Sequence, residues 1–158
     1  DCLIVERVEP YLKSKTRHRL SKKNKYLFFD LGVRRVAARE GTKLPDKIMG
    51  HLFEQYVGLE LIRQSRLSSQ RITVRYWQDL NGIEVDWLLE MEESLLPIEI
   101  KYTDKPRKQD ARHLMTFLNE YDEAKDGYII CQVPRKMKLA DNIYALPWQQ
   151  MNELIPAL

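Results

Sequence analysis

From Arg71 to Tyr102 apolar and polar residues alternate with a period of two, interrupted twice by turn-forming residues. That pattern predicts three successive antiparallel strands, and no other stretch constrains the fold as much. Asn81-Gly82 separates the first two runs. This dipeptide favours the two-residue type I′ hairpin, in which both central residues need positive φ. Such a turn sets Leu80 beside Ile83, Tyr76 beside Trp87 and Val74 beside Leu89. A second turn at Met91-Glu92-Glu93-Ser94, centred between the glutamates, sets Leu89 beside Leu96, Trp87 beside Ile98 and Val85 beside Ile100. One face is then apolar across all three strands, and a slip of one residue would destroy it.

The opposite face gathers the polar residues. The same register puts Asp86 directly across from Glu99, Lys101 across from Glu84, and Trp77 beside Asp86, where it would stack a base or wall a pocket. Like charges opposed in a sheet repel, and cover by a helix raises that cost by holding two carboxylates in low dielectric. A shared proton, the Lys101 ammonium or a bound divalent cation would each relieve it. Two hard oxygen ligands at this spacing suit Mg²⁺, which takes one or two carboxylates and leaves its other positions to water and phosphate.

Helical patterns flank these strands. Asp30-Leu31-Gly32 opens a short helix through Arg39, ended by Gly41. Pro45 and Asp46 start a longer one to around Arg66, with Ile48, Leu52, Phe53, Tyr56, Leu59 and Ile62 on an apolar stripe. Glu54 lies one helical turn from both Gly50 and Gly58. A mid-helix glycine costs roughly 0.5–1 kcal/mol relative to alanine, so two on one face imply a packing reason. Close approach of the helix to the sheet would aim Glu54 at the carboxylate pair; tight packing alone would leave Glu54 in solvent. Residues 107–121 return to helical spacing, with Gln109 and Arg112 at the start as phosphate contacts or as a solvated face. Gly127–Val133 reads as a buried strand and Asn142–Leu146 as the last one. The order predicts an α/β fold: a mixed central sheet with an αβββαβ core, flanked by helices.

Before these elements, residues 1–25 are basic and turn-rich. Leu3-Ile4-Val5 and Tyr26-Leu27-Phe28-Phe29 read as strands joined by the loop Lys13–Lys25, either a wing on a phosphate backbone or a solvated hairpin. The chain of 158 residues suits one domain, and its opening Asp1-Cys2-Leu3, without methionine, reads as a piece of a longer protein. A net charge of +3 is compatible with nucleic acid without requiring it. Cys2 and Cys131 form neither a disulfide framework nor a zinc pattern, which favours a reducing cytoplasm. No apolar run approaches the ~18–20 residues of a membrane span. His18, His51 and His113 have no metal-ligand spacing. A Walker-type phosphate loop and a nucleophile elbow are both missing, which excludes a P-loop ATPase and an elbow-type serine or cysteine hydrolase. Oligomeric state is left open.

Asp30-Leu31-Gly32, Leu52-Phe53-Glu54, Trp77, Gly82-Ile83-Glu84-Val85-Asp86, Ile98-Glu99-Ile100-Lys101 and Leu146-Pro147-Trp148 together resemble the domain-of-unknown-function family numbered 4143. That family forms the C-terminal part of prokaryotic AAA-type ATPases and is similar to PD-(D/E)xK nucleases. The resemblance covers nearly the whole chain. It implies a restriction-endonuclease-like domain over residues 26–158, with residues 1–25 the wing leading in from a preceding winged-helix and ATPase part. It also implies a nuclease hydrolysing DNA phosphodiester bonds with Mg²⁺ or Mn²⁺, or a module of that fold that binds nucleic acid or protein without turnover. Asp86, Glu99 and Lys101 fall on the nuclease motif, and Glu54 on its helix acid. Asp86, Glu99 and Glu54 would hold the cation, which activates water and polarises phosphate, while Lys101 stabilises developing charge. Val85 stands where the motif usually has proline.

Overall fold

Side-chain capping and proline placement set the helix starts. Asp30 Oδ1 accepts the N–H groups of Gly32 at 2.7 Å and Val33 at 3.0 Å, which opens α1 (Leu31–Ala37). Pro45 precedes α2 (Asp46–Leu67), where its missing N–H forfeits no helical bond. The computed structural model describes residues 4–13, 23–41 and 43–155. Cys2, His18 and most of the expected basic loop lie outside the described residues.

The strands are β1 (Val5–Val8), β2 (Lys25–Phe28), β3 (Thr73–Gln78), β4 (Glu84–Glu90), β5 (Leu95–Ile100), β6 (Gly127–Cys131), β7 (Met137–Ala140) and β8 (Ile143–Pro147). A 3-10 turn, Lys108–Ala111, leads into α3 (Arg112–Glu120), and a second, Trp148–Leu154, follows β8. β1 and β2 pair as a separate antiparallel hairpin, while the others form a six-stranded sheet in the order β3-β4-β5-β6-β8-β7. Three antiparallel strands come first; β6 then adds parallel to β5, and β8 parallel to β6. This is the expected mixed α/β sheet. β7 is an addition at its edge, short and half exposed, and the alternation of the sequence does not single it out.

The β4–β5 hairpin has the predicted register as far as Trp87–Ile98, where its ladder ends; Val85 does not pair with Ile100, and the two enter opposite cores. Met91 N–H bonds to the Ser94 carbonyl at 3.0 Å, Leu89 pairs with Leu96 and Trp87 with Ile98. The β3–β4 hairpin begins as predicted, with Val74 opposite Leu89, and then departs. Arg75 faces Leu88 but Trp77 faces Val85, so Asp86 and Trp87 together oppose Tyr76 alone. This is a β-bulge on β4, and it shifts every pair beyond it by one residue.

The connecting turn differs in step with the bulge. Only Gly82 has positive φ, at 86°, and Asn81 does not, so the turn is not type I′. Asp79 organises it instead: its buried carboxylate accepts the N–H groups of Asn81 at 2.9 Å and Ile83 at 2.8 Å. Leu80 is left exposed rather than paired with Ile83.

Two cores result, one on each face of the sheet. Val57, Leu61 and Ile62 of α2 pack against Trp87, Leu89, Ile98, Ile100 and Ile130, joined by Val8 and Leu27 from the hairpin. Leu114, Phe117 and Tyr121 pack against Val85, Leu88, Ile129 and Ala145 on the other side. The bulge sends Val85 and Trp77 to the α3 side. Trp77 therefore does not lie beside Asp86; its ring meets Phe117 edge-on at 5.4 Å, and its Nε1 donates to the Tyr121 hydroxyl at 3.0 Å. On α2, Gly58 is where the Trp87 indole lies against the helix: a Cβ there would stand 2.4 Å from Trp87 Cζ2. Gly50 faces open space. Among the described residues no helix is long and apolar enough to cross a membrane.

Candidate active site

The bulge is where the chemistry collects. Trp87 and Ile98 are the last ladder pair between β4 and β5. Beyond them, Asp86 turns its carboxylate inward, and Oδ2 accepts the Ile100 N–H at 2.7 Å in place of a ladder bond. Glu99, on the neighbouring strand, is only 4% exposed. Its Oε1 takes the Lys101 ammonium at 2.7 Å and has His113 Nδ1 4.0 Å away. Its Oε2 is buried and has no hydrogen-bond partner among the described residues.

Lys101 reaches this position because its backbone N–H bonds to the Ile130 carbonyl at 3.1 Å, continuing the link from β5 to β6. Its side chain then folds back onto Glu99. It does not face Glu84, since the β4–β5 ladder has ended and the bulge has rotated Glu84 away. Glu84 is held by Lys25 instead, Nζ to Oε1 at 2.5 Å. The same ammonium lies 3.3 Å from Glu54 Oε1 and 3.4 Å from the Asp86 carbonyl, over the rings of Tyr76 and Trp87. Glu54 itself is anchored where the Trp87 indole N–H donates to its backbone carbonyl at 3.2 Å.

Burial, then Glu99 and Glu54, push the Asp86 carboxyl well above the usual carboxylate range, against Lys25 and the Ile100 N–H. Burial also raises Glu99, against Lys101 and His113. Burial disfavours charge on both lysines, yet their carboxylate neighbours outweigh it and raise each: Glu99 and Asp86 for Lys101, Glu54 and Glu84 for Lys25. The acids thus lack positive charge, while both ammonium groups are secured.

Of the residues singled out by sequence, Asp86, Glu99 and Lys101 come together, and Glu54 borders them through Lys25. Gln109 and Arg112 are exposed, and His51 is exposed on α2. Sequence reasoning missed Lys25 and set His113 aside. Lys25 stands two residues before the buried Leu27 on a strand, a period that places both on the inward face. His113 precedes Phe117 by one helical turn, next to the buried stripe of α3.

Among the described residues no three His, Cys, Asp or Glu side chains group closely enough to hold a metal ion. Two carboxylates do suffice for a cation that fills its remaining positions with water and phosphate. The unpartnered buried Glu99 Oε2 and the raised Asp86 carboxyl are what such a cation would satisfy. The residues fit Mg²⁺ or Mn²⁺ in an open site and do not form an all-protein cage.

Fold and site together define a mixed α/β domain, a six-stranded sheet with helices packed on it, carrying an Asp-Glu-Lys cluster at the bulged end of its middle strands. Residues 49–151, well over half of the chain, match the family described as Domain of unknown function (DUF4143), and the chain belongs to that family. The matched span contains Glu54, Asp86, Glu99, Lys101 and His113 but not Lys25. No curated protein matches the chain.

Proposed function

We propose that this domain is a Mg²⁺- or Mn²⁺-dependent nuclease that hydrolyses DNA phosphodiester bonds, with its site at Asp86, Glu99 and Lys101. The observation that carries this reading is the buried Oε2 of Glu99, unpartnered among the described residues, beside an Asp86 whose carboxyl is raised by burial and by the Glu99 and Glu54 carboxylates. Asp86 and Glu99 would hold the cation, which supplies charge neutralisation on the phosphate and lowers the pKa of an attacking water. Asp86 is fixed for this by the Ile100 N–H on Oδ2, so that Oδ1 would be the oxygen to meet the cation. Lys101, tethered on Glu99, presents an ammonium to a nonbridging phosphate oxygen and stabilises the charge that develops there. Glu54 pairs with Lys25 and lies close enough to Asp86 to raise its carboxyl, which keeps it as the helix acid of the site. The partner on this reading is nucleic acid, with an AAA-type ATPase module in the same full-length chain.

A second reading, a module that binds nucleic acid or protein without turnover, is favoured by one feature. Glu54, the third acid, already holds the Lys25 ammonium, which it shares with Glu84. A cleavage assay separates the two. Linear, branched and single-stranded DNA is incubated with Mg²⁺ or Mn²⁺ and the wild type, Asp86→Ala or Lys101→Ala. Cation-dependent cutting by the wild type, reduced at least ~100-fold in both variants, is expected from the loss of a charge-stabilising group. Binding without cutting on every substrate would favour the second reading.

A further inference from the structure

Lys25 belongs to the hairpin, yet its ammonium sits in an oxygen cage built by the main domain. Glu84 Oε1, Glu54 Oε1 and the Asp86 carbonyl lie 2.5, 3.3 and 3.4 Å from Nζ. A lysine ammonium has three N–H donors, and three oxygens surround this one. Its side chain is 22% exposed, and the Tyr76 and Trp87 rings stand 4.9 and 5.1 Å from Nζ. The cage shares Asp86 with the proposed cation position.

The hairpin is a sheet of its own. Among the described residues, a lone bridge, Pro10 to Tyr76, links this segment to the six-stranded sheet. The Tyr76 hydroxyl donating to the Lys23 carbonyl, and Arg66 paired with Glu6 through two 2.8 Å bonds, add polar anchors. A charge at this end of the sheet is therefore supplied from a strand pair outside it, which Val8 and Leu27 seat in the α2-side core.

We propose that Lys25 is a tethered cation: it fills the Glu54–Glu84–Asp86 oxygen cage and competes with a divalent ion for this edge of the site, so that seating of the β1–β2 hairpin sets how much metal the domain takes. This rests on the proposed cation at Asp86 and Glu99. Lys25 acts through Glu54 and Glu84 and through repulsion of the ion; it is a positioning residue. With it seated, four carboxylates (Glu54, Glu84, Asp86, Glu99) face two ammonium groups, and the deficit is what one divalent ion neutralises. With it removed, the cage offers two more carboxylate oxygens and a carbonyl, and a single positive charge no longer repels the incoming ion.

The test is thermal melting of the wild type, Lys25→Met and Lys25→Arg in EDTA and across a Mn²⁺ titration, since an ion that binds the native state raises Tm. Lys25→Met is expected to melt lower than wild type in EDTA. Its Tm should then rise at Mn²⁺ concentrations about tenfold or more below those the wild type needs, because a like charge beside the ion is gone. Lys25→Arg, which keeps the charge, should follow the wild type. If Lys25→Met has no cooperative melt in EDTA, Mn²⁺ should restore one; failure to restore it overturns the proposal. A wild type that responds to Mn²⁺ alongside a Lys25→Met variant with the same response overturns the role of Lys25 alone. A wild type that does not respond removes the cation reading beneath it.

Discussion

Between Val85 and Trp87 the chain carries one residue more than β3 can pair, and Asp86 fills that gap with its carboxylate on the Ile100 N–H. The carboxyl is raised above its unfolded value by burial, Glu99 and Glu54. Its contribution to stability is therefore present below the usual carboxylate range and lost as pH rises through the raised folded value. At neutral pH, without a cation, Asp86 opposes folding. Asp86→Asn keeps an oxygen for the Ile100 N–H and removes the charge. We expect it to raise Tm in EDTA at pH 7 by about 2–4 °C, the shift that follows from roughly 1 kcal/mol in a domain of this size. A lower Tm would show that the carboxylate is already neutralised. The strand alternation singles out Asp86, Glu99 and Lys101 in the sequence, although the period of two breaks at Asp86, where the bulge sends Val85 and Trp87 to opposite cores. Lys25 is not singled out, because its partners Glu54 and Glu84 lie on elements far along the chain and no local pattern joins them.

At the level of elements, the bulge on β4 and Gly58 of α2 decide how helix and sheet meet. Gly58 gives the Trp87 indole its place against the helix, and a methyl group there would stand within 2.9 Å of three indole carbons. Gly58→Ala should destabilise the fold by about 1–3 kcal/mol through overpacking, despite the better helix propensity of alanine. Gly50 meets nothing, so Gly50→Ala should stabilise by about 0.5–1 kcal/mol. Urea denaturation of both variants checks the opposite signs, and equal signs would mean that Trp87 does not hold this position. Close approach to the sheet is one of two reasons the sequence offers for both glycines; it holds at Gly58 and not at Gly50. The sequence reading placed the β4–β5 turn correctly because a local backbone bond, Met91 N–H to the Ser94 carbonyl, closes it without shifting the register. It missed the β3–β4 geometry because Asp79 took over the turn with its side chain, which let an extra residue enter β4. Trp77, assigned beside Asp86, moved to the α3 core as a direct consequence.

Across the whole molecule, two helical layers bury opposite faces of a six-stranded sheet, and the sheet places a pair of buried acids at the end where β4 and β5 part. This architecture was foreseeable from the order of periodic segments. The edge strand β7 was not, since it exists only through its pairing with β8. The acids are short of positive charge even with Lys25 and Lys101 in place, and a small hard cation is what their oxygens can accommodate. Calorimetric titration of Mn²⁺ into the wild type and Asp86→Ala tests that claim most directly. The account predicts about one ion per chain for the wild type, as two carboxylates in an open site allow, and none for Asp86→Ala. No binding by the wild type, or undiminished binding after Asp86 is removed, would contradict it.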